Sequence, residues 1–180
     1  MNRFFFASTL AVLGMAACLP VQAHITLEHQ TALAGSFYKA NFRVGHGCGE
    51  SPIRQIVVHM PEGVRGAKPM PKPGWRIDIE RASLAQPYLD HGRRITEDVV
   101  RIRWTARTPE DELPNTHYDE FALQARLPAR EGPLYWSVSQ VCAHEQIDWN
   151  ETPASGQSLH RLKSPAALLD LLPSSGAHSH

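Results

Sequence analysis

His24 directly follows a candidate cleavage site for a secretion signal, so cleavage would make this histidine the first residue of the mature chain. Arg3 makes the first residues positive, and the run from Phe4 to Leu19 carries no charge. Small residues stand three and one positions before His24, as a signal-peptide cleavage site requires. We therefore predict that residues 1–23 are a cleaved signal peptide. Cleavage would leave a free α-amine and an imidazole on the same residue.

These two nitrogens can chelate a single metal ion. An α-amine has a pKa of about 7.7–8.0, so a strong Lewis acid displaces its proton near neutral pH. Among the common divalent ions, copper(II) binds nitrogen ligands most tightly. The first interpretation of His24 is therefore a copper ligand. The alternative is that a histidine follows the cleavage site by chance, because one chelating residue is not a complete site.

Export sets the compartment and the size of the mature chain. Removing 23 of 180 residues leaves 157, the size of one domain, with 17 basic and 18 acidic residues because Arg3 is lost. This balance, without a basic run, argues against nucleic acid or an anionic membrane as partner. We predict a periplasmic protein with no transmembrane segment after cleavage. A lipoprotein anchored at Cys18 is the alternative, because Met15 to Cys18 weakly resembles a lipoprotein cleavage box.

Two cysteines remain in the mature chain, Cys48 in a glycine-rich loop and Cys142 at the end of a predicted strand. Cysteines of exported domains usually pair, and closing so long a loop would stabilise the fold by about 3–5 kcal/mol. We predict a Cys48–Cys142 disulfide. A histidine stands two residues from each cysteine, His46 and His144, so reduced thiols with these imidazoles could instead hold zinc.

Alternating apolar residues, turn signals and many prolines predict an all-β fold. We expect an antiparallel β-sandwich of the immunoglobulin-like or cupredoxin-like kind, built from about seven short strands. Residues 81–94 are polar and predict a long excursion between strands. The predicted strands cover 24–29, 38–44, 53–60, 75–79, 100–104, 121–127, 134–142 and 147–149.

The last residues of the chain are predicted to lie outside the sandwich domain. We place the sandwich domain at residues 24–152 and a C-terminal extension at 153–180. Ser164-Pro165 predicts the start of a short helix over about 165–172, because proline is favoured at the first helical position. The tail contains His178 and His180, two imidazoles without a scaffold, so any metal capture there would be weak.

Three further residues have both a structural and a metal-binding interpretation. Glu120 lies on the strand face opposite Phe121, where it is either a solvated acid or a carboxylate directed at an N-terminal strand. His117 is either polar loop surface or another ligand. Trp149 is either a core residue, the usual position of a tryptophan, or the border of a site.

Several segments together resemble the YcnI-like domain family of exported bacterial copper-binding proteins. They are the His24-Ile25-Thr26-Leu27 start, Ala34-Gly35-Ser36, Lys72-Pro73-Gly74-Trp75, Tyr118-Asp119-Glu120-Phe121 and the stretch from Gln140 to Trp149. The resemblance extends from His24 to about Glu151. Proteins of that family often occur with copper-transport and copper-insertion proteins.

The resemblance implies a copper(II) site of the single-histidine brace type. The amine and imidazole would come from His24, the carboxylate from Glu120, and Trp149 would be the nearby tryptophan. It implies a protein of copper storage, delivery or homeostasis, with copper-transport or copper-chaperone proteins of the envelope as partners. The Cys48–Cys142 pair and the histidine-containing tail are not part of the minimal family pattern.

Two other classes of function compete with a copper-binding module. Copper monooxygenases that cleave polysaccharides also use an N-terminal histidine, with a second histidine from the chain. His46, His59, His91, His117 and His144 are candidates for it, and no sequence motif selects one. The second rival is a metal-free structural sandwich. No nucleophile elbow, phosphate loop or dinucleotide fingerprint occurs in the sequence.

Overall fold

The structure is a computed structural model that describes residues 24–174. The predicted signal peptide, including Cys18, and the tail histidines His178 and His180 lie outside the described residues.

Two β-sheets pack face to face, so the predicted all-β sandwich is confirmed. The strands are β1 Thr26–Leu27, β2 Thr31–Leu33, β3 Phe37–Val44, β4 Ile53–His59, β5 Arg65–Pro69, β6 Trp75–Asp90, β7 Arg93–Ala106, β8 Asp119–Arg126, β9 Gly132–Cys142, β10 Gln146–Trp149 and β11 Ala167–Leu172. The smaller sheet has the order β1-β3-β8-β5, and the larger has β2-β11-β9-β4-β7-β6, with β10 beside β9. Short 3₁₀ turns occur at Pro109–Asp111 and Leu159–Arg161.

The core lies between the sheets and follows from the alternation in each strand. On β8, Phe121, Leu123 and Ala125 are almost fully buried, as predicted, and β9 contributes alternating residues from the other sheet. Trp104, Trp136 and Trp149 have no exposed surface. These indoles supply much of the apolar area that stabilises a domain of this size.

The N-terminal strand lies at one edge of the smaller sheet. Ile25 and Leu27 are buried, as expected, but only Thr26–Leu27 of the predicted strand over 24–29 is a strand, and a separate strand, β2, follows at Thr31–Leu33. β1 pairs with β3, whereas β2 crosses to the larger sheet and pairs in parallel with β11. The segment from Thr26 to Leu33 therefore contributes one strand to each sheet.

Residues 81–94 form a hairpin rather than the predicted excursion. β6 and β7 pair from Trp75 opposite Ala106 to Asp90 opposite Arg93, with irregularities near Glu80 and Ser83. His91 and Gly92 make the turn with positive φ angles of 46° and 77°, which suits a two-residue hairpin. The strands could not be recognised from the sequence because their outer half is mostly exposed and lacks a buried alternating face.

The predicted helix over 165–172 is wrong, because residues 167–172 form β11. This strand pairs with β9 on one side and β2 on the other. Ala167, Leu169 and Leu171 are buried while Asp170 is exposed, which is strand alternation. A short apolar run fits either element, and the free edge of β9 decides the outcome. The segment assigned to a C-terminal extension thus contributes a strand to the sandwich.

Within residues 24–174, no helix is long and apolar enough to cross a membrane.

Candidate metal centre

The pairing of three strands defines where His24 lies. Thr26 of β1 is opposite Arg43 of β3, and Arg43 is opposite Glu120 of β8. Directly opposed residues of antiparallel strands project from the same face, which here is the outer face of the smaller sheet. His24 stands two residues before Thr26 and is half-buried, so it lies just outside β1, beside the end of β3.

Trp149 contacts His24 across the sheet edge. The two ring centroids are 5.7 Å apart, with an interplanar angle of 57°. Trp149 is fully buried on β10, in the other sheet, whereas His24 is half-buried. The structure therefore brings together two of the three residues predicted for the metal site.

A second imidazole lies against the same indole. The His46 ring is 6.3 Å from Trp149 between centroids, in an edge-to-face arrangement with an interplanar angle of 74°. His46 Nδ1 is 2.6 Å from the carbonyl oxygen of Gly47. Because a carbonyl oxygen can only accept, the Nδ1 of His46 donates this hydrogen bond.

The loop that carries His46 is closely packed. A Cβ at Gly47 would lie 2.1 Å from the carbonyl oxygen of Ser51, so only glycine fits there. The Gly47 amide donates to Asn115 Oδ1 at 3.0 Å, and Cys48 and Ser51 exchange backbone hydrogen bonds of 3.1 and 2.9 Å. These contacts fix the backbone on one side of His46.

Gln140 on β9 fixes the other side and also orients the tryptophan. Its Nε2 donates to the His46 carbonyl oxygen at 2.8 Å, and its Oε1 accepts from Trp149 Nε1 at 3.0 Å. Only 1 % of the Gln140 surface is exposed, so both hydrogen bonds are shielded from water. One amide thereby positions both His46 and Trp149.

Glu120 lies on the outer face, as predicted, in a group of paired charges. Asn41 Nδ2 donates to Glu120 Oε2 at 2.6 Å and to Glu28 Oε2 at 3.0 Å. Arg43 reaches both carboxylates, Glu120 through Nε and Glu28 through a terminal nitrogen, each at 3.4 Å. The Asn41 hydrogen bond lowers the pKa of Glu28. Each carboxylate oxygen keeps lone pairs for a further partner.

β3 separates β1 from Glu120 within the sheet. Neighbouring strands lie about 4.8 Å apart, so the β8 backbone is about 10 Å from that of β1. The prediction required the first strand to lie directly beside Glu120, and the structure instead interposes β3 with Arg43. A shared ligand role for His24 and Glu120 stays a prediction.

The two cysteines form the predicted disulfide, with a sulfur–sulfur distance of 2.08 Å and a Cα separation of 6.1 Å. With both thiols consumed, the zinc alternative with His46 and His144 is excluded in this state. The bridge joins the His46 loop to the last residue of β9. It therefore closes the loop two residues beyond the candidate ligand.

The other candidate histidines are placed differently. His117 is exposed and its Nδ1 is 3.3 Å from the Thr116 hydroxyl, while His144 is exposed in the turn between β9 and β10. His59 is on β4, where burial lowers its pKa. Over residues 24–174, no three side chains of His, Cys, Asp or Glu converge as a metal cluster. A site at His24 would need the α-amine as an additional donor.

Sequence reasoning did not identify Gln140 and Asn41 as residues that organise this region. The alternation of β3 placed Asn41 on the outer face with no sign that it would be 4 % exposed. The alternation of β9 gives Gln140 the parity of the core residues Trp136 and Val138, which marks a buried amide. That signal was readable from the sequence, since a buried amide needs hydrogen-bond partners.

The two packed sheets place the chain in the class of immunoglobulin-like β-sandwiches. An uncharacterized protein from Nocardia farcinica, reported to have an immunoglobulin-like fold, aligns with a TM-score of 0.64 and 23% identity, covering 82% of this chain and 97% of that one. A cohesin–dockerin complex from Clostridium thermocellum aligns at a TM-score of 0.35 and 7% identity, covering 83% of this chain and 98% of that one, which is too distant to bear on the fold.

The chain belongs to the DUF1775 family, described as a domain of unknown function, which it matches over residues 24–171. The match begins at His24 and ends within β11, so the family domain includes the last strand of the sandwich. No curated protein matches the sequence.

Proposed function

We propose that the chain, once cleaved before His24, is a periplasmic copper(II)-binding protein of copper storage, delivery or homeostasis. The His24 α-amine and imidazole would hold the ion, Glu120 would supply a carboxylate, and Trp149 would border the site. The DUF1775 family is consistent with the YcnI-like copper-binding family that the sequence resembles. Partners would be copper-transport or copper-chaperone proteins of the bacterial envelope.

The observation that carries the proposal is the contact between His24 and Trp149. The residue predicted to follow the cleavage site lies with its imidazole 5.7 Å from a fully buried indole. A histidine left there by chance would have no reason to meet the tryptophan that the family resemblance associates with copper. The apolar indole would limit the access of water to one side of a bound ion.

The charges nearby fit a cation. Glu28 and Glu120 bring two carboxylates to the outer face, and within residues 24–174 Arg43 is the one cationic side chain that forms an ion pair with them. An additional positive ion would offset this excess of negative charge. The amine, imidazole and carboxylate together form a nitrogen-rich donor set of the kind that copper(II) prefers.

Export is supported by the disulfide, which persists in oxidising compartments and is rare in the cytosol. Cleavage of the signal is then the step that would create the chelating amine. An uncleaved chain would have an amide nitrogen at His24, which is a poor metal ligand at neutral pH.

The test compares two proteins that differ by one residue. Protein beginning at His24, verified by intact mass, should bind one copper(II) per chain in competition with a chelator of known affinity. Protein beginning at Ala23, with its N-terminal amine acetylated, keeps every side chain of the site but has an amide nitrogen at His24, and its affinity should fall by more than about tenfold. Equal affinities for the two proteins would overturn the proposal. A His24 protein that resists loading would favour the metal-free structural sandwich.

An oxidative copper enzyme is the second candidate, and His46 is the observation that favours it. Polysaccharide monooxygenases pair the N-terminal histidine with a second imidazole, and His46 lies against the same indole as His24. Copper-loaded protein supplied with a polysaccharide, oxygen and ascorbate as reductant should then consume oxygen and release oxidised oligosaccharides. A binding protein should show neither activity above that of its Ala23 form.

A further inference from the structure

We propose that a basic groove on the outer face of the smaller sheet binds an extended acidic segment of a partner protein. The basic groove is lined by the cations Arg65, Lys68 and Arg126, with Phe37 and Leu89 beside them. Arg126 ends β8, so the groove lies at the other end of this strand from the proposed copper site. Binding there needs no copper, and the inference therefore goes beyond the proposed function.

Two arginines of the groove are directly opposed across β5 and β8. Arg65 is the Cα partner of Arg126, and both side chains line the same cavity. Like charges that face each other in this way destabilise a pair of strands. Within residues 24–174, neither these arginines nor Lys68 forms an ion pair with a carboxylate. An anion bound between the three cations would offset their repulsion.

A β-bulge in β5 sets the position of Arg65. The pairing of β5 with β8 changes register between Arg65 and Lys68. Gly66 has a positive φ of 60° there, and its amide donates to Asp98 Oδ2 at 2.9 Å. Bulges of this kind re-aim the neighbouring side chain, so the backbone itself directs Arg65 into the groove.

The same buried carboxylate also orients the Arg65 side chain. The Tyr88 hydroxyl donates to Asp98 Oδ2 at 2.7 Å, and the Arg65 guanidinium carbon lies 4.3 Å from the centroid of the Tyr88 ring. Stacking uses the flat face of a guanidinium and leaves the N–H groups at its edge available to an acceptor. Arg65 is thus held in place before any partner arrives, which lowers the entropic cost of binding.

Two adjoining cavities give the groove an elongated shape. One of about 360 Å³ lies between the sheet and the β6–β7 turn, and one of about 430 Å³ extends to Met70. Lys68 and Gln124 line both cavities. The lining residues of β8 extend from Arg126 to Ala122, which is about 14 Å at the rise of a β-strand. This length suits an extended peptide better than a single small anion.

The side chains around the groove define the chemistry of the partner. Phe37 and Leu89 are 70 % and 74 % exposed, and Met70 borders the second cavity. Asp90 is the one acid among the residues that line the two cavities. Carboxylates of a partner can form charge-assisted hydrogen bonds with the arginines, while its apolar side chains cover the exposed phenylalanine and leucine. The partner segment therefore combines glutamate or aspartate with apolar residues.

The rest of the same face argues against a membrane as the partner. Glu28 and Glu120 lie on the outer face beyond the groove, so a broad anionic surface would meet carboxylates as well as the basic groove. A narrow peptide segment contacts the basic end alone.

The experiment measures the binding of a fluorescein-labelled peptide, Glu-Leu-Glu-Phe-Glu-Glu, to metal-free protein of residues 24–180 by fluorescence anisotropy. We expect saturable binding that weakens with added salt, and binding at least about tenfold weaker for the peptide with glutamine in place of each glutamate. Arg65→Gln/Lys68→Gln should lower the affinity for the acidic peptide by more than about tenfold. Arg161→Gln/Lys163→Gln is the matched control, because it removes the same charges from exposed residues outside the groove and should leave the affinity unchanged.

A second variant keeps Arg65 and its bulge intact. Gln124→Glu adds a negative charge on an exposed residue that lines both cavities, and it should also weaken peptide binding. Circular dichroism of each variant checks that the fold is preserved.

Several results would overturn the assignment. Equal losses in the groove variant and its matched control, or an unchanged affinity in Gln124→Glu, would show that the peptide does not bind in the groove. Inorganic phosphate that binds as tightly as the peptide would indicate a small-anion site instead. Cosedimentation with phosphatidylglycerol vesicles that is lost in Arg65→Gln/Lys68→Gln, without peptide binding, would indicate a membrane surface instead. None of these results bears on copper binding at His24, which is tested separately.

Discussion

Trp149 Nε1 donates a 3.0 Å hydrogen bond to Oε1 of Gln140, and the exposed fraction of neither residue exceeds 1 %. This bond fixes the orientation of the indole whose ring lies 5.7 Å from His24. The Trp149 side chain is thus held in one orientation beside the first residue of the proposed mature chain.

The proximity of Trp149 to His24 predicts an optical signal. Copper(II) bound at His24 should quench the fluorescence of Trp149, because a paramagnetic ion quenches indoles at short range. Trp149→Phe should remove most of the copper-dependent quenching and still bind one ion per chain. Trp75→Phe, which alters another buried indole, is the control and should retain the quenching. Loss of stoichiometric binding in Trp149→Phe would show that the indole is required for binding.

Glu120→Gln tests the carboxylate role while preserving shape. The amide keeps an oxygen for Asn41 but removes the negative charge near the ion. We expect copper(II) affinity to fall by about tenfold, which is about 1.4 kcal/mol, together with a changed EPR spectrum. Glu112→Gln, in an ion pair with Arg54, is a charge-matched control. An unchanged spectrum and affinity in Glu120→Gln would remove Glu120 from the site.

The Cys48–Cys142 bridge should contribute about 3–5 kcal/mol to the free energy of unfolding, since its loop spans 94 positions. Urea unfolding of Cys48→Ala/Cys142→Ala protein is compared with that of the oxidised wild type. The reduced wild type is the control and should match the double variant. A difference of less than about 1 kcal/mol would show that the reduced chain is already constrained.

β11 can be tested with two leucines of opposite exposure. Leu169 is fully buried, so Leu169→Ala should cost about 2–5 kcal/mol in chemical unfolding. Leu172 is 41 % exposed, and the same substitution there should cost less than about 1 kcal/mol. Equal losses at the two positions would contradict the strand alternation.

His59 should make the fold sensitive to mild acid. Burial lowers its pKa in the folded state, so the unfolded chain binds a proton more readily. The sign is therefore a loss of stability as pH falls through the unfolded value of about 6.5, levelling off below the folded pKa. Metal-free protein should unfold at lower urea at pH 5.5 than at pH 7.5. His59→Gln should flatten this difference, whereas His117→Gln should preserve it.

The sequence predicts the sandwich because buried strands such as β8 and β9 alternate cleanly between apolar and polar residues. It fails where local signals are weak or ambiguous. Leu168–Leu172 fits a helix or a strand, and only the edge of β9, distant in sequence, selects the strand. The β6–β7 hairpin has an exposed outer half, so no apolar face marks it.

In the candidate site, too, residues with a local sequence signal could be predicted and contacts between distant residues could not. His24 could be singled out because the cleavage signal is local, and Cys48 with Cys142 because export implies pairing. Gln140 and His46 could not be joined from the sequence, since their contact links positions 94 residues apart through tertiary packing. The ordering of β1, β3 and β8, which puts Arg43 between Thr26 and Glu120, likewise follows from sheet topology.

The disulfide at the His46 loop has a consequence for when the centre becomes competent. If the chain is exported and cleaved as proposed, two covalent changes would complete the centre, proteolysis before His24 and oxidation at Cys48, and both would follow translocation. A newly made chain still in the cytosol would have neither the amine nor the clamped loop. Such a precursor would lack the chelating amine, so the proposed copper site would form only after translocation.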